Sequence, residues 1–468
     1  MKLLLVSANR ERSPYPVFPL GLAFLAAPLK QAGHKLAVLD LCFEAEPLAA
    51  LQAALVAEQP EVVIISLRNL DNVTWPDARS YLSGLTDLVT VCKGKATVVV
   101  GGSGFSLMPL EVLATCGADI GLVGEGEQQL PLLLDRLGQG ADLADLPGVV
   151  LPGKTDYIPP VTVKQIGSPD RELFDVARYL KEGGMANLQT KRGCPFGCSY
   201  CTYPLLEGQQ MRTRPVADII AEIRSLVDDH GVDYLYFVDD IFNYPTSFCE
   251  QLCNAMIDEQ LTVNWSAFIN PDFITPQLLG LMKRAGCDAI EFGTDSGSPV
   301  MLQSLCKSFT LEQVKSASLL CHEAGLDFSH YIIFGGPGET EETILESFRL
   351  MDELNPTAVI AMTGVRIYPR TKLYRTALDE GIITTATDLL QPTFYLAPAI
   401  KDTLSSLVIE QAMQRKNWIV PGLEVNISDT MLEALRMFKV RGPLWKLLKR
   451  MGRSRIAPMS SSKPTVLG

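Results

Sequence analysis

The sequence predicts an α/β protein: a doubly wound, Rossmann-like parallel-sheet domain, then a partial (β/α)6 barrel and a small helical C-terminal region. Three observations lead to this fold class. Short Val, Ile and Leu runs alternate with helix-like segments along most of the chain, which is the pattern of buried parallel strands joined by helical crossovers. Glycine-rich or polar turns follow those runs. With 468 residues, the chain is also too long for one ordinary core.

Composition and charge narrow the class of protein. A hydrophobic content of 47% with 20% charged residues is normal for a globular chain. The net charge of −12 argues against a nucleic-acid binder, which needs a basic face. We expect no transmembrane helix, because no run of about 18 uncharged apolar residues occurs. Eleven cysteines without a secretory signal indicate reduced thiols or metal ligands, and a cytoplasmic location.

The first domain is predicted to span about residues 1–140. Its strand-like runs are Leu3–Val6, Leu36–Leu41, Val62–Ser66, Val98–Val100 and Ile120–Val123. The helix-like segments are Leu20–Ala32, Pro47–Glu58, Asp77–Val91 and Glu127–Leu137. In such a sheet, ligands bind beyond the carboxyl ends of the strands.

Three turns at those strand ends are candidate binding segments. Arg68-Asn69 follows the third strand, Gly101-Gly102 the fourth and Gly124-Glu125 the fifth. Glycine lets the backbone approach a large ligand closely. Any one of these turns is equally well explained as a tight connection, but three together at this edge of the sheet favour a site.

The strongest signal in the chain is a cysteine motif. Cys194, Cys198 and Cys201 have the spacing Cys-x3-Cys-x2-Cys. Three thiolates on one tight loop can hold three irons of a cubane 4Fe–4S cluster and leave the fourth iron open. The alternatives are a zinc site, which would need a fourth protein ligand that the nearby sequence lacks, and three unconnected core cysteines.

A second series of strands and helices follows from residue 186. The predicted strands are Ala186–Thr190, Tyr234–Val238, Asn264–Phe268, Ala289–Phe292, Phe328–Phe334 and Ala358–Arg366. The helices are Pro215–Asp229, Ser247–Gln260, Thr275–Ala285, Thr310–Ala324 and Glu341–Glu353. Six strand–helix repeats are fewer than the eight that close a full TIM barrel, so an open barrel is expected.

Residues at the strand ends of this barrel are further candidates, because that rim is where sites form. They are Asp240, Asp295, Ser296, Gly335 and Gly336. An acidic residue at such a position is equally well explained as a cap for the next helix.

These motifs, in this order, resemble the cobalamin-dependent radical S-adenosylmethionine (SAM) enzymes. Pro19–Leu22, Gly101-Gly102 and Gly124–Glu127 are similar to their N-terminal cobalamin-binding domain, and the cysteine loop with its later glycine turns is similar to their barrel. The resemblance covers about residues 1–375. It implies a cobalamin domain at 1–140, a linker at 141–185 and a radical SAM barrel at 186–375, with 376–468 as the C-terminal region.

The resemblance also implies roles for individual residues. The three cysteines hold the cluster, and SAM chelates its open iron. Around SAM, Tyr200 packs on the adenine edge, Asp240 accepts from the ammonium group, and Gly335 and Gly336 admit the adenine. Asp295, beside Ser296, stands where the family usually has Glu. The Asp-x-His-x-x-Gly motif that ligates cobalt is missing, and Arg68 and Asn69 are expected near the lower face of cobalamin.

The implied function is C-methylation by an enzyme. A 5′-deoxyadenosyl radical removes a substrate hydrogen, and methylcobalamin then methylates the unactivated carbon. Two alternatives stay open, a family oxidase or cyclase that transfers no methyl group and a non-catalytic corrinoid carrier or redox sensor. The implied partners are a small-molecule or lipid substrate and an electron donor such as flavodoxin or ferredoxin.

The last segment of the chain has a different charge. Nine basic and no acidic residues lie between Ala434 and Gly468. Apolar residues recur there at helical spacing, namely Leu444, Leu447, Leu448 and Met451. A basic amphipathic helix suits peripheral contact with an anionic membrane surface. Docking of the segment on the acidic remainder of the same protein is an equal alternative.

Overall fold

Two β-sheets organise the protein, one in each half of the chain. The structure is a computed structural model that describes residues 1–426 and 440–451. Both sheets are mainly parallel and carry helices in their crossovers. This confirms the predicted fold class, a doubly wound domain followed by an open barrel.

The first sheet has the strand order β2-β1-β3-β4-β5-β6. Its strands are β1 (Lys2–Ser7), β2 (Lys35–Asp40), β3 (Val62–Ser66), β4 (Thr97–Gly101), β5 (Ile120–Leu122) and β6 (Val149–Val150). The helices are α1 (Leu20–Gln31), α2 (Pro47–Glu58), α3 (Leu82–Cys92), α4 (Ser103–Leu107), α5 (Pro109–Cys116) and α6 (Gly126–Gln139). The five parallel strands match the predicted runs, and the antiparallel β6 lies beyond the predicted end of the domain at residue 140.

The second sheet has the order β7-β10-β11-β12-β13-β14-β17, with every pair parallel. Its strands are β7 (Ala186–Leu188), β10 (Tyr234–Phe237), β11 (Asn264–Ile269), β12 (Cys287–Asp295), β13 (Asp327–Phe334), β14 (Ala358–Thr363) and β17 (Trp418–Ile419). Two short pairs lie outside it, β8 (Lys191–Arg192) with β9 (Arg212–Thr213) and β15 (Val365–Arg366) with β16 (Phe394–Tyr395).

The helices of this half complete the barrel. They are α7 (Val176–Gly183), α8 (Tyr203–Leu206), α9 (Val216–Asp228), α10 (Thr246–Asp258), α11 (Pro276–Arg284), α12 (Pro299–Ser304), α13 (Leu311–Ala324), α14 (Glu341–Leu354), α15 (Lys372–Asp379) and α16 (Leu404–Met413). The sequence sets several starts, since Thr275, Thr310 and Thr340 each accept a backbone N–H as the N-cap. The predicted helix Thr275–Ala285 is therefore confirmed as α11, with Thr275 as its N-cap and Pro276 as its first residue.

The strand β17 is the main difference from the predicted architecture. The six predicted strands form, but a seventh extends the sheet inside the region expected to be helical. It is two residues long, too short to give a strand pattern in the sequence. Tertiary contacts hold it: Val359 N donates to Asn417 O, and the Trp418 ring stacks 4.1 Å from that of Phe348.

The C-terminal ends of the two sheets face each other, and polar contacts join them. Arg366, just beyond β14, donates to Asp71 at 2.9 Å, and both side chains are fully buried. Arg370 donates to the carbonyls of Ser106 and Leu107 in the first domain. A binding site between the two domains is therefore held by contacts on its rim.

The described part of the basic tail, residues 440–451, docks on the opposite end of the barrel. It forms a 3-10 turn at Leu444–Leu447 and a helical turn at Leu448–Met451. Its cations pair with aspartates at the starts of strands: Arg441 with Asp233, Lys446 with Asp288 and Lys449 with Asp327.

Residues 440–451 therefore agree with the docking alternative rather than with the membrane alternative, because Leu444 and Trp445 are buried in the protein itself. The basic residues at 436, 439, 453, 455 and 463 lie outside the described residues. Within the described ranges, no helix has the length and apolar character needed to cross a bilayer.

Candidate active site between the two sheets

A cavity of about 330 Å³ lies between the two domains. The first sheet supplies the turns after β1, β3, β4 and β5, and the barrel supplies Asn187, Gln189, Tyr203, Leu206 and Glu207. Of the predicted residues, the cavity is lined by Arg68, Gly101, Gly102, Gly124 and Glu125. Asn69 is not among the lining residues, and its backbone packs closely against Gly104 of α4.

The glycine at position 102 is required by the fold of the cavity wall. Its φ is +101°, and a Cβ there would lie 2.5 Å from the carbonyl oxygen of Leu67. A side chain would therefore push the β3 and β4 turns apart. Gly21, at the start of α1, also lines the cavity but has open space where its Cβ would be.

Arg68 is an exposed cation on the cavity wall. Within the described residues, no carboxylate forms an ion pair with it, and the positive charge acts on the nearby Tyr203 phenol. No histidine lines this cavity. The histidine of the first domain, His34, instead lies 3.4 Å from the N-terminal amine.

Glu125 joins the two domains rather than facing the cavity with a free carboxylate. It accepts from Arg192 at 3.1 Å, from Arg212 at 2.8 Å and from the Val163 amide at 2.7 Å. Arg192 also pairs with Glu127 at 2.7 Å, and its side chain is buried. Arg192 stands two residues before Cys194, so this network fixes the cysteine loop against the first domain.

The cysteine loop starts at a turn that only glycine can make. Gly193 has φ +96°, and a Cβ would lie 2.2 Å from Gln210 O. Cys194 is buried, while Cys198 and Cys201 are partly exposed. Burial raises the pKa of all three thiols, that of Cys194 to about 11 and that of Cys201 to about 12. Without a metal the thiols are therefore protonated at neutral pH.

The three cysteines suit a cluster rather than a single ion. No three His, Cys, Asp or Glu side chains converge on one metal position anywhere in residues 1–426 and 440–451. A cubane cluster needs no such convergence, because each thiolate binds its own iron. The zinc alternative, which requires a closed set of ligands around one ion, is not favoured.

Two neighbouring aspartates after β10 have opposite environments. Asp239 is fully buried and paired, with Lys191 Nζ at 3.0 Å and the Thr190 amide at 2.7 Å. Asp240 Oδ2 is also buried but has no hydrogen-bond partner in the described structure. Burial, with Glu207 and Asp239 adding to it, raises the pKa of Asp240 to about 9. Asp239 therefore stabilises the fold, whereas Asp240 keeps one buried oxygen that could still form a hydrogen bond with a ligand.

Asp295 is held in a strained backbone conformation beside the cysteine loop. Its φ is +65°, uncommon for a residue other than glycine. Its Oδ2 accepts from the Tyr200 hydroxyl at 2.5 Å and from Lys307 Nζ at 2.7 Å. Tyr200, predicted to pack on adenine, thus uses its hydroxyl to link the loop to β12.

Lys307 is a buried cation that no pattern in the sequence predicts. The segment before it contacts the loop directly, since Ser199 N donates to Leu305 O at 3.0 Å. The Lys307 charge also acts on the thiol of Cys198. No sequence motif marks this lysine, because its contacts with the loop form only in the folded protein.

The remaining predicted residues are engaged locally. Ser296 is buried, lies 3.2 Å from Ser347 Oγ and accepts from the Ser298 amide. The amides of Gly335 and Gly336 both donate to Glu339 Oε2, at 2.5 and 3.1 Å. A Cβ at Gly336 would contact Met301 and Leu305, so this turn packs close to the segment that contacts the cysteine loop.

Comparison with known proteins assigns the family. Residues 188–351 match the model of the radical SAM superfamily, and residues 6–134 match that of the B12 binding domain. The cysteine loop lies at the start of the first match, and the turns that line the cavity lie in the second. The chain belongs to the cobalamin-dependent radical SAM enzymes. The two matches give it SAM and cobalamin as cofactors.

Several curated relatives of this radical SAM enzyme are named as methyltransferases. An uncharacterized methyltransferase of Pyrococcus horikoshii is 26% identical over 404 residues, covering 82% of this chain and 85% of the relative. The tryptophan 2-C-methyltransferase of Streptomyces laurentii is 24% identical over 436 residues, covering 78% and 73%.

Solved structures agree with the fold of the enzyme. The radical SAM methyltransferase TsrM from Kitasatospora setae, with cobalamin and a [4Fe-4S] cluster bound, superposes with a TM-score of 0.85 at 21% identity, covering 96% of this chain and 97% of TsrM. The cobalamin-dependent radical enzyme OxsB gives 0.72 at 17% identity, over 88% and 66%.

Proposed function

We propose that the enzyme transfers a methyl group to an unactivated carbon of a small molecule. One observation carries the proposal: the cysteine loop and the cobalamin-domain cavity face each other across one interface, held by Arg192 between Glu125 and Glu127. When bound, SAM supplies the methyl group and the radical chemistry, and cobalamin relays the methyl group. The protein orients these groups and excludes water.

The donor set of the loop fits an iron–sulfur cluster. Cys194, Cys198 and Cys201 would hold three irons as thiolates. Because burial raises their pKa values, iron binding must displace the thiol protons. Lys307, close to the Cys198 thiol, favours the thiolate form.

The unpartnered Asp240 fits the ammonium group of SAM. No donor stabilises the charged form of this buried carboxyl group, and a charged N–H donor beside it would favour the carboxylate. Asp295, already bridging Tyr200 and Lys307, is proposed to keep the loop in position. The turn at Gly335-Gly336, which carries no side chains, is proposed to let adenine approach its backbone.

The cavity of the first domain fits a cobalamin whose lower face has no histidine ligand. No histidine lines it, and Arg68 extends its side chain there. We propose that Arg68 faces the lower side of the corrin and that Gly101, Gly102 and Gly124 shape the wall around it.

A cyclase of the same family is the second candidate. The anaerobic magnesium-protoporphyrin IX monomethyl ester cyclase of Rubrivivax gelatinosus is 27% identical over 276 residues, which is 56% of this chain and 49% of that protein. The methyltransferases match over a larger share of both chains, and for that reason methyl transfer is preferred.

We also propose that a flavodoxin or ferredoxin supplies electrons to the cluster and that the enzyme acts in the cytoplasm. A lipid substrate loses its support, because it was inferred from a membrane-binding tail and the described part of that tail is docked on the barrel.

The test is product analysis on anaerobically reconstituted enzyme with reduced electron donor, hydroxocobalamin and SAM carrying a deuterated methyl group. We expect S-adenosylhomocysteine and 5′-deoxyadenosine by mass spectrometry. Cys198→Ala should lose the cluster absorbance and the deoxyadenosine, while the matched control Cys253→Ala, in buried α10, should keep both. Deoxyadenosine without S-adenosylhomocysteine would favour the cyclase, and neither product from fully loaded enzyme would contradict both candidates.

A further inference from the structure

The inside of the barrel holds a carboxylate without a positive partner. Side chains alternate along each strand, so every second residue points inward. Ala289 of β12 and Ala358 of β14 pack inside against Trp445 of the docked tail. Glu291, two residues after Ala289, points to the same side and is only 3% exposed.

Neutral donors surround this carboxylate. Tyr236 OH donates to Oε2 at 3.2 Å, Trp445 Nε1 donates to Oε1 at 3.2 Å, and the Tyr331 hydroxyl also donates to it. Among residues 1–426 and 440–451, no Lys, Arg or His side chain pairs with Glu291. The nearby cation of the tail, Lys446, pairs with Asp288 instead.

An isolated buried carboxylate is costly, and proteins normally pair it with a cation. Burial raises the pKa of Glu291, while the bonds from Trp445, Tyr331 and Tyr236 oppose that rise. The three donors therefore favour the carboxylate form of Glu291 but bring no positive charge to it, and a cation beside it would favour that form further.

Partly exposed aromatic residues lie next to the carboxylate. Tyr236, Phe268 and Tyr331 are each partly exposed although they point into the barrel, and the rings of Phe268 and Tyr331 are 5.0 Å apart. Rings of this kind attract a cation through their faces. The cavity described above reaches the same interior at Asn187 and Val238.

We propose that the barrel interior binds the cationic amine of the substrate, with Glu291 as the counter-charge and Tyr236, Phe268 and Tyr331 around it. This rests on the proposed function and adds a substrate class to it: a small molecule with a protonated amine at one end. The amine end lies deepest, and the rest of the molecule extends towards the cysteine loop at the C-terminal ends of the strands.

A purely structural role for Glu291 predicts something different. If the carboxylate served only to anchor Trp445, an amide oxygen would accept the same N–H bond, and the tail would keep its three ion pairs. The substitution Glu291→Gln therefore separates the two roles, because it keeps the acceptor and removes the charge.

Binding is measured by calorimetry on holoenzyme loaded with cluster and cobalamin, with no SAM and no reductant, so that no turnover occurs. The probes are tryptamine and phenethylamine, each compared with its neutral alcohol, tryptophol and 2-phenylethanol. We expect the wild type to bind the amines about tenfold more tightly than the alcohols and Glu291→Gln to lose that preference. Asp288→Asn, in the same strand but paired with Lys446, should keep it.

Tyr331→Phe is the second variant, since it keeps the ring and removes one neutral donor from the carboxylate. It should bind the amines at least as tightly as the wild type. Equal binding of amines and alcohols by the wild type, or an amine preference that survives in Glu291→Gln, would overturn the amine site. Neither result decides whether the enzyme transfers a methyl group, because that is tested separately by the formation of S-adenosylhomocysteine. Likewise, a failure to detect methyl transfer would not change the amine binding measured by calorimetry.

Discussion

The two ends of the barrel use charge in different ways. At the C-terminal ends of the strands, charged groups are buried: Lys191 and Asp239 have exposed fractions of 1% and 0%, and Asp240 has an oxygen with no partner. At the N-terminal ends, the tail forms pairs that water reaches, such as Lys449 with Asp327 at 61% and 20% exposure.

This difference in the burial of charge indicates which end of the barrel contains the functional site. Buried charges are costly to maintain, so their concentration at one rim indicates chemistry there, whereas exposed pairs contribute little and serve docking. In barrels of this kind, the C-terminal rim carries sites and the opposite rim carries stability. Glu291 is the exception, a buried charge lying between the two ends.

The largest effect should follow from breaking the buried pair. Lys191→Met leaves Asp239 charged and unpaired, and we expect a loss of about 3–5 kcal/mol of stability. Urea unfolding of the apoprotein measures it. The double variant Lys191→Met, Asp239→Leu should recover much of the loss. If Lys191→Met unfolds at the wild-type midpoint, the buried pair at the C-terminal ends of the strands contributes no more stability than the exposed pairs at the N-terminal ends.

A change of opposite sign is expected at the neighbouring position. Asp240→Asn removes a carboxyl group whose pKa burial raises to about 9, so it should stabilise the apoprotein at pH 8 by about 1–3 kcal/mol. The wild-type carboxyl favours folding fully below its unfolded pKa of about 4, and that contribution is lost as pH rises towards 9.

The measurement is the unfolding midpoint of both proteins from pH 5 to pH 9. The gap between wild type and Asp240→Asn should widen as pH rises. Glu341→Gln, an exposed acid at the start of α14, is a control that should show no widening gap. If the difference in midpoint between wild type and Asp240→Asn stayed constant from pH 5 to pH 9, burial would not raise the pKa of this carboxyl group.

Long, regular elements were predictable from the sequence, because their signals are local. The helix α2 starts at Pro47 and the strand β3 is a continuous apolar run, and both were predicted with their observed bounds. The two-residue strands β6 and β17 were not, because they exist only through pairing.

The same distinction applies to the candidate site, in which local motifs were predictable and contacts between distant segments were not. The cysteine loop and the turns at Gly101-Gly102 and Gly124-Glu125 are local motifs, and the structure brings them to one interface. Lys307, the Arg192–Glu125 bridge and the missing partner of Asp240 depend on segments far apart in the chain, so no spacing reveals them. Glu291 did leave a signal, since an acid directly between the buried apolar residues Ile290 and Phe292 of a strand is unusual.

The smallest effect is expected at the docked end. Lys449→Ala removes one exposed ion pair with Asp327, and the free energy of unfolding should fall by about 0.2–1 kcal/mol. Most of this difference should disappear at 1 M salt, because salt screens exposed charges. Thermal unfolding at low and high salt, with the surface variant Lys154→Ala as control, measures it. A loss of several kcal/mol that persists in salt would mean that ion pairs at the N-terminal ends of the strands stabilise the protein as much as the buried pair at the C-terminal ends. The contrast between the two ends would then fail.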